Sequence, residues 1–222
     1  MTRSPRSSPD APDDPSVTAA KQQLRRRLLD RRRHRTPEHR AAVGRANADH
    51  LFAAASPGTT VCGFLPLPSE PLDGRLLDRL TGAGVTVLVP VVTGAAPLDW
   101  SDWSAARRAA GSGELPRRAG PVGIDELDAP RLGPGAVASA DLVLVPALAV
   151  DPAGHRLGRG GGHYDRTLAL LGTLTRRRPP LVAVLDDDEV LDTVPHDHLD
   201  VPVSLLVTPR GGLRVPGASR AG

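Results

Sequence analysis

The stretch of the chain best equipped for chemistry is Arg156-Leu-Gly-Arg-Gly-Gly-Gly-His-Tyr-Asp165, in which three consecutive glycines follow two arginines and precede an acid. Glycines let backbone N–H groups crowd around an anion, guanidiniums add full positive charge, and a helix opening just beyond adds the partial charge of its N-terminus. That combination suits phosphate, and Asp165 is placed to reach a metal ion beside it. The loop lacks the Lys-Ser/Thr ending of a P-loop, and His163 stands where the last glycine of a dinucleotide fingerprint falls. The same glycines also serve a plain tight connection from strand to helix.

Other residues of chemical interest are scattered. Lys21 and Arg25 lie four apart on a helical stretch and by themselves read as solvated surface charge. Glu70 precedes Pro71 and can act as the N-terminal charge of a helix, while Asp200 by itself is a loop acid. His196, Asp197 and His198 are of metal-ligand type, but with no third partner at ligand spacing they read as a polar turn. Arg25–Arg27 and Arg31–Arg33 read as a solvated face, Asp186–Glu189 as the start of a short helix, and Trp100 with Trp103 as packing residues. No Ser-His-Asp or Cys-His set points to a protein nucleophile. Lys21 is the only lysine and Tyr164 the only tyrosine of an arginine-rich chain, and a compact ammonium meets a phosphate differently from a planar guanidinium.

The elements that must position these residues follow from the apolar pattern. A basic amphipathic helix is predicted after Thr18, read as its N-cap, with Leu24, Leu28 and Leu29 on one face. Thr36-Pro37-Glu38 opens a second helix, which Pro57-Gly58 stops. Aliphatic runs at Val61–Leu65, Val85–Val91, Asp141–Pro146, Leu181–Leu185 and Val203–Val207 then alternate with helical stretches at Leu72–Leu80 and after Gly162. Such alternation predicts an α/β fold: one compact domain, a mostly parallel sheet with helices on both faces, in a Rossmann-like three-layer arrangement. Between Thr93 and Ala140 the periodicity fails, so an irregular excursion near the ligand cleft is expected. Residues 1–17 and 211–222 are too poor in apolar side chains to order and are read as tails on a domain spanning 18–210.

With 222 residues the chain fits one such domain. Its single cysteine, Cys62, cannot form an internal disulfide, and neither a leader peptide nor a membrane span is evident, so a cytoplasmic protein with no membrane partner is expected. A pI near 9.9 reflects arginine usage and does not by itself imply nucleic acid.

The glycine loop, the helix beginning Lys21-Gln-Gln-Leu-Arg25, the segment Phe64-Leu-Pro-Leu-Pro-Ser-Glu70, the segment Pro121-Val-Gly-Ile-Asp-Glu126 and Asp200-Val-Pro-Val-Ser204 together resemble the 5-formyltetrahydrofolate cyclo-ligases, over residues 19 to about 209. The resemblance implies closure of 5-formyltetrahydrofolate, with or without a polyglutamate tail, to the 5,10-methenyl form at the expense of ATP, with Mg²⁺ as cofactor. The formyl oxygen attacks the γ-phosphate, and N10 then displaces phosphate from the resulting imidoyl phosphate. It also implies ATP against Lys21, Arg25 and the run Arg156, Leu157, Gly158, Arg159, Gly160, Gly161, Gly162, His163 and Tyr164. Mg²⁺ falls to Asp165 and Asp200, and folate to Leu65, Glu70, Arg159 and His163. Arg159 and Tyr164 take catalytic places. Three positions depart from the family pattern: His163 for an aromatic, Leu199 for a polar residue, and Leu127 for proline. His163 is expected to make binding pH-sensitive. A monomer is expected, without nucleic acid. Two rival readings keep other functions: a relative that binds the ligands without turnover, and an RNA-binding module built on the arginine-rich helix.

Overall fold

The computed structural model describes residues 15–120 and 125–218. Residues 1–14 of the tail expected over 1–17, the Pro121–Ile124 part of the Pro121–Glu126 segment and residues 219–222 lie outside the described residues, while residues 15–17 of that expected tail are helical. The elements run α1 (Pro15–Arg33), α2 (Pro37–Ala53), β1 (Thr60–Cys62), α3 (Arg75–Gly82), β2 (Thr86–Val91), β3 (Asp99–Asp102), α4 (Trp103–Ala110), β4 (Arg117–Ala119), β5 (Asp125–Leu127), β6 (Leu142–Pro146), β7 (Ala149–Val150), β8 (Arg156–Leu157), α5 (His163–Leu174), β9 (Leu181–Val184), β10 (Leu205–Thr208) and β11 (Gly212–Arg214).

Seven strands form one sheet in the order β11-β10-β9-β6-β1-β2-β3. The five inner strands are parallel, and β3 and β11 close the two edges in antiparallel register. Two antiparallel ribbons, β4-β5 and β7-β8, stand apart from it. Side chains alternate across the sheet as the strand period requires. On one face Val61, Val87, Val89, Leu144, Val182 and Val184 pack against Leu51 of α2, Leu76, Leu77 and Leu80 of α3, and Trp103 of α4. On the other, Cys62, Leu88, Val143, Val145, Ala183 and Leu206 pack against Leu168 and Leu171 of α5 and against Trp100. The expected layering is therefore present.

Several boundaries differ from the sequence reading. Helix α1 starts at Pro15, so Thr18 lies inside it; proline is tolerated in a first turn, where its missing N–H had no partner to lose. Gly212–Arg214, placed by sequence in a tail, pairs with β10. The excursion after Thr93 supplies the edge strand β3, helix α4 and the β4-β5 ribbon, elements too short for a periodic signal. Leu127, where the family pattern has proline, is fully buried in the first core cluster.

Two contacts hold the parts that matter below. In α2, capped by the Thr36 hydroxyl on the His39 N–H, the fully buried Asn47 donates to the carbonyls of Pro71 and Leu185, each at 2.8 Å, and so fixes the loop after β1. Helix α1 lies against the β7-β8 ribbon, with Leu28 buried against Leu148, Ala149, Leu157 and Val194. One buried leucine stabilises by only about 1.5–3 kcal/mol, so α1 leans on polar anchors as well. Arg32 supplies the largest. It is buried, forks onto both oxygens of the buried Glu189 at 2.7 Å, and also reaches the Ala147 carbonyl. The arginine face read as solvated is thus partly an anchoring face, and its partners are the acids Asp186–Glu189, folded into a capped 3-10 turn.

Candidate active site

The parallel strands read β2-β1-β6-β9-β10 across the sheet, so the chain leaves β1 toward one edge and β6 toward the other. Open α/β sheets bind ligands beyond the carboxyl ends of their strands at such a reversal. Here the loop after β1 carries Leu65 and Glu70, and the segment after β6 carries the β7-β8 ribbon and the glycine loop. The two meet where Arg159 Nε donates to Glu70 Oε1 at 3.2 Å and Arg159 Nη2 to the Ser69 hydroxyl at 3.3 Å. Glu70 is nearly buried, and its Oε2 accepts the Leu67 N–H at 2.9 Å. Both of its oxygens are therefore occupied within the protein. Leu65 and Glu70 line a cavity of about 590 Å³, bounded also by Gly44, Arg45, Trp103 and Arg117. Trp103 both packs and lines this cavity, whereas Trp100 is wholly core.

The glycine loop is held from both sides. Arg156, buried, donates to Asp165 Oδ1 at 2.5 Å and to the Val201 carbonyl. Arg25 Nε donates to the Gly158 carbonyl at 2.9 Å, so this arginine is a loop clamp and not free surface charge. Gly162 sits at φ +66°, and a Cβ there would lie 2.5 Å from Nη1 of Arg166. As N-cap of α5 it offers no side chain, and the first-turn N–H groups keep no side-chain cap. Leu157 differs from its expected place: its side chain is fully buried in the third core cluster, leaving only backbone to face a ligand.

Lys21 closes on two acids, Asp197 and, at 2.5 Å, Asp200. Burial works against its charge, yet the bonds to Asp197 and Asp200 hold its pKa above the ordinary lysine value. Burial likewise opposes ionisation of Asp197, but Lys21 and the Leu199 N–H keep its carboxyl below the usual range. Asp197 is the residue that sequence reasoning left in a polar turn; its only sequence signal is its place three residues before Asp200. Leu199 points outward and disturbs none of this. His163 touches Arg166, whose Nη2 lies 3.1 Å from its Nδ1. Burial and the Arg166 charge push the His163 pKa below the ordinary imidazole value, against a bond to the Ala96 backbone that raises it. Tyr164 packs against the second core cluster, and its buried hydroxyl has no hydrogen-bond partner among the described residues. Burial, then the Glu70 charge, raise its pKa far above that of a free phenol, so its hydroxyl stays protonated.

Asp165 and Asp200 each spend one oxygen on a cation and keep the other without a protein partner among the described residues. Hard carboxylate oxygens of this kind suit Mg²⁺, which takes one or two carboxylates and completes its shell with phosphate and water. Among the described residues, a grouping of three potential ligand side chains lies elsewhere, at Asp151, His155 and His196. No described helix is long and apolar enough to cross a membrane.

Comparison with known proteins bears on the family and the fold. Residues 17–209 match the sequence profile of the 5-formyltetrahydrofolate cyclo-ligase family. The chain is 36% identical over 199 residues to the 5-formyltetrahydrofolate cyclo-ligase of Mycolicibacterium smegmatis, covering 87% of this chain and 96% of that protein. It is 28% identical to the Escherichia coli K12 protein of the same name, over 82% of this chain and 96% of the other. The solved 5,10-methenyltetrahydrofolate synthetase of Aquifex aeolicus superposes with a TM-score of 0.69 at 25% identity, covering 91% of this chain and 95% of that one. The synthetase from Mycoplasma pneumoniae shares the fold, with a TM-score of 0.63 at 18% identity over 85% of this chain and 98% of that one. With a family profile spanning nearly the whole described chain and a relative at that identity along its length, this protein belongs to the 5-formyltetrahydrofolate cyclo-ligase family.

Proposed function

We propose that the protein closes 5-formyltetrahydrofolate to 5,10-methenyltetrahydrofolate with hydrolysis of ATP to ADP and phosphate, acting as a cytoplasmic monomer in one-carbon metabolism. The observation that carries this reading is the uncapped start of α5 behind a glycine loop that Arg25 and Arg156 pin in place. First-turn N–H groups with no side-chain cap, and two guanidiniums beside them, suit a polyphosphate.

In this reading Lys21, Arg25, Arg156 and the loop from Gly158 to Tyr164 hold ATP, and the free oxygens of Asp165 and Asp200 hold Mg²⁺. The ion's part is to neutralise phosphate charge. The amino-pyrimidinone edge of the pterin bonds to Glu70 as a pair of parallel N–H donors. Since both Glu70 oxygens are engaged in the protein alone, the pterin takes the place of Arg159 on Oε1. Arg159 is thereby released to face the transferring phosphoryl group. The formyl oxygen then attacks the γ-phosphorus and ADP leaves; N10 attacks the imidoyl carbon, loses its proton, and phosphate departs. No protein nucleophile is needed, so catalysis is positioning and charge neutralisation. Tyr164, a neutral hydroxyl short of a partner, gains one from the bound ligands.

The test is incubation with ATP, Mg²⁺ and 5-formyltetrahydrofolate, followed by the near-ultraviolet absorbance of the methenyl product. Growth of that band only when all three are present is the expected result. Binding of both ligands with no band would leave a non-catalytic relative.

A further inference from the structure

Outside the site just described, the fold brings together a group that the sequence separates. Asp151 and His155 sit in the turn of the β7-β8 ribbon, and His196 lies some forty residues on, in the loop that also carries Asp197 and Asp200. The His155 and His196 rings stack with centroids 3.4 Å apart and planes 7° from parallel. One potential ligand atom from each of the three side chains falls within 4.8 Å of the others.

We propose that His155 and His196 form a site for a borderline transition-metal ion such as Zn²⁺, distinct from any Mg²⁺ at Asp165 and Asp200, with Asp151 as the orienting carboxylate. The chemistry of the ring nitrogens carries this. His155 Nδ1 lies 3.0 Å from Asp151 Oδ2, and His196 Nδ1 lies 3.0 Å from the Val194 carbonyl oxygen. An ionised carboxylate and a carbonyl can only accept, so each Nδ1 carries a proton, and in the neutral ring each Nε2 presents a lone pair. Neither Nε2 has a protein partner among the described residues. A metal-bound histidine has this wiring: the far ring N–H is donated to a carboxylate or carbonyl, which fixes the tautomer and raises ligand basicity. Asp151 is itself held firmly. Its Oδ1 accepts the N–H groups of Ala153 and His155, at 3.0 and 2.9 Å, and its Oδ2 accepts that of Val194 at 3.2 Å. Saturated in this way, it orients His155 and does not ligate.

Two nitrogens on a tetrahedral ion with bonds of about 2.1 Å stand about 3.4 Å apart, and the stacked rings are close enough for a turn of one of them to bring two nitrogens to that spacing. From parallel planes the lone pairs converge once one ring turns. His155 is tied to Asp151, whereas His196 is exposed and makes a single bond, so His196 is the ring that turns. Imidazole selects Zn²⁺, Ni²⁺ or Cu²⁺ over Mg²⁺, and the site is open enough for water to complete the shell. An ion there ties the β7-β8 turn to the loop whose Asp197 and Asp200 grip Lys21.

The experiment uses the full chain without a histidine tag, free of nucleotide and folate, so that it is independent of the catalytic reading. Co²⁺ is titrated in excess Mg²⁺ and followed by its visible absorption, then displaced by Zn²⁺. Saturable binding of one Co²⁺ per chain is expected, weakened about tenfold or more in His196→Asn and in His155→Asn. Circular dichroism checks both variants. If His155→Asn loses its fold, His196→Asn decides alone, because that side chain is exposed on a loop. Absence of saturable binding in the natural chain, or a His196→Asn titration that overlays it, overturns the proposal.

Discussion

Arg159 and Glu70 face each other at 3.2 Å, and the proposed reaction needs each of them for a ligand. Replacing Arg159 with alanine is expected to lower kcat by about a thousandfold, the scale of removing one stabilising charge from a phosphoryl transfer, while the melting temperature stays near that of the parent. The side chain is partly exposed and its two bonds are long, so little stability rests on it. Steady-state kinetics beside a thermal scan separates the two effects, and full activity in the variant removes Arg159 from the mechanism. Glu70→Gln exchanges an oxygen acceptor for a donor at the pterin edge. Loss of a charge-assisted bond corresponds to roughly a tenfold rise in KM for the folate, with a smaller change for ATP. The reverse ordering of the two KM values places Glu70 away from the pterin.

At the level of elements, α1 is a scaffold and, in the proposed reading, also part of the site. It delivers Lys21 and Arg25 to the loops beyond the sheet, and it is fastened there by Leu28 and by Arg32 on Glu189. Arg32→Ala strands a buried carboxylate, a change that destabilises by about 3 kcal/mol when one partner of a buried pair is removed. Arg35, 2.9 Å from the same Glu189 oxygen, keeps the loss at the lower end of that range. Urea denaturation measures it; a loss below about 1 kcal/mol would mean that the leucine and Arg35 suffice to seat the helix. The β7-β8 ribbon is fastened from the other side. Gly154, at φ +87°, leaves room for the Val203 carbonyl, which a Cβ would meet at 2.4 Å, and its own carbonyl accepts the Val203 N–H.

The whole molecule gathers the proposed site from α1, the loop after β1, the segment after β6 and the stretch around Asp197–Asp200. A ligand that spans these pieces binds only the folded chain, so it stabilises globally. At about a hundred times its Kd a single ligand adds about 2.7 kcal/mol, a shift of a few degrees for a chain of this size. A non-hydrolysable ATP analogue with Mg²⁺ is expected to raise the melting temperature, and 5-formyltetrahydrofolate to raise it further. A scan unmoved by the nucleotide would leave the glycine loop a mere connection.

Much of this was open to reading in the chain itself. Runs such as Val85–Val91 and Leu181–Leu185 specify buried parallel strands, because a two-sided environment needs continuous apolar sequence, and Thr36-Pro37 sets the start of α2 by local hydrogen bonding. The glycine loop and its arginines are likewise contiguous, so their chemistry and the family they resemble follow from adjacency. Pairings between distant segments did not follow. Periodicity assigned Arg32 to solvent, and only the packing of α1 against the 3-10 turn at Asp187–Glu189 buries it. Asp197 joins Lys21 across 176 residues, and His155 stacks on His196 across forty-one, contacts that local propensity cannot encode. Burial, in turn, changed the chemistry of side chains already named, lowering His163 and withholding the Tyr164 proton. The sequence alone determines which groups are present and which strands and helices carry them. The tertiary structure decides which of them meet and in what dielectric, because charge and proton affinity depend on neighbours that the chain's order does not reveal.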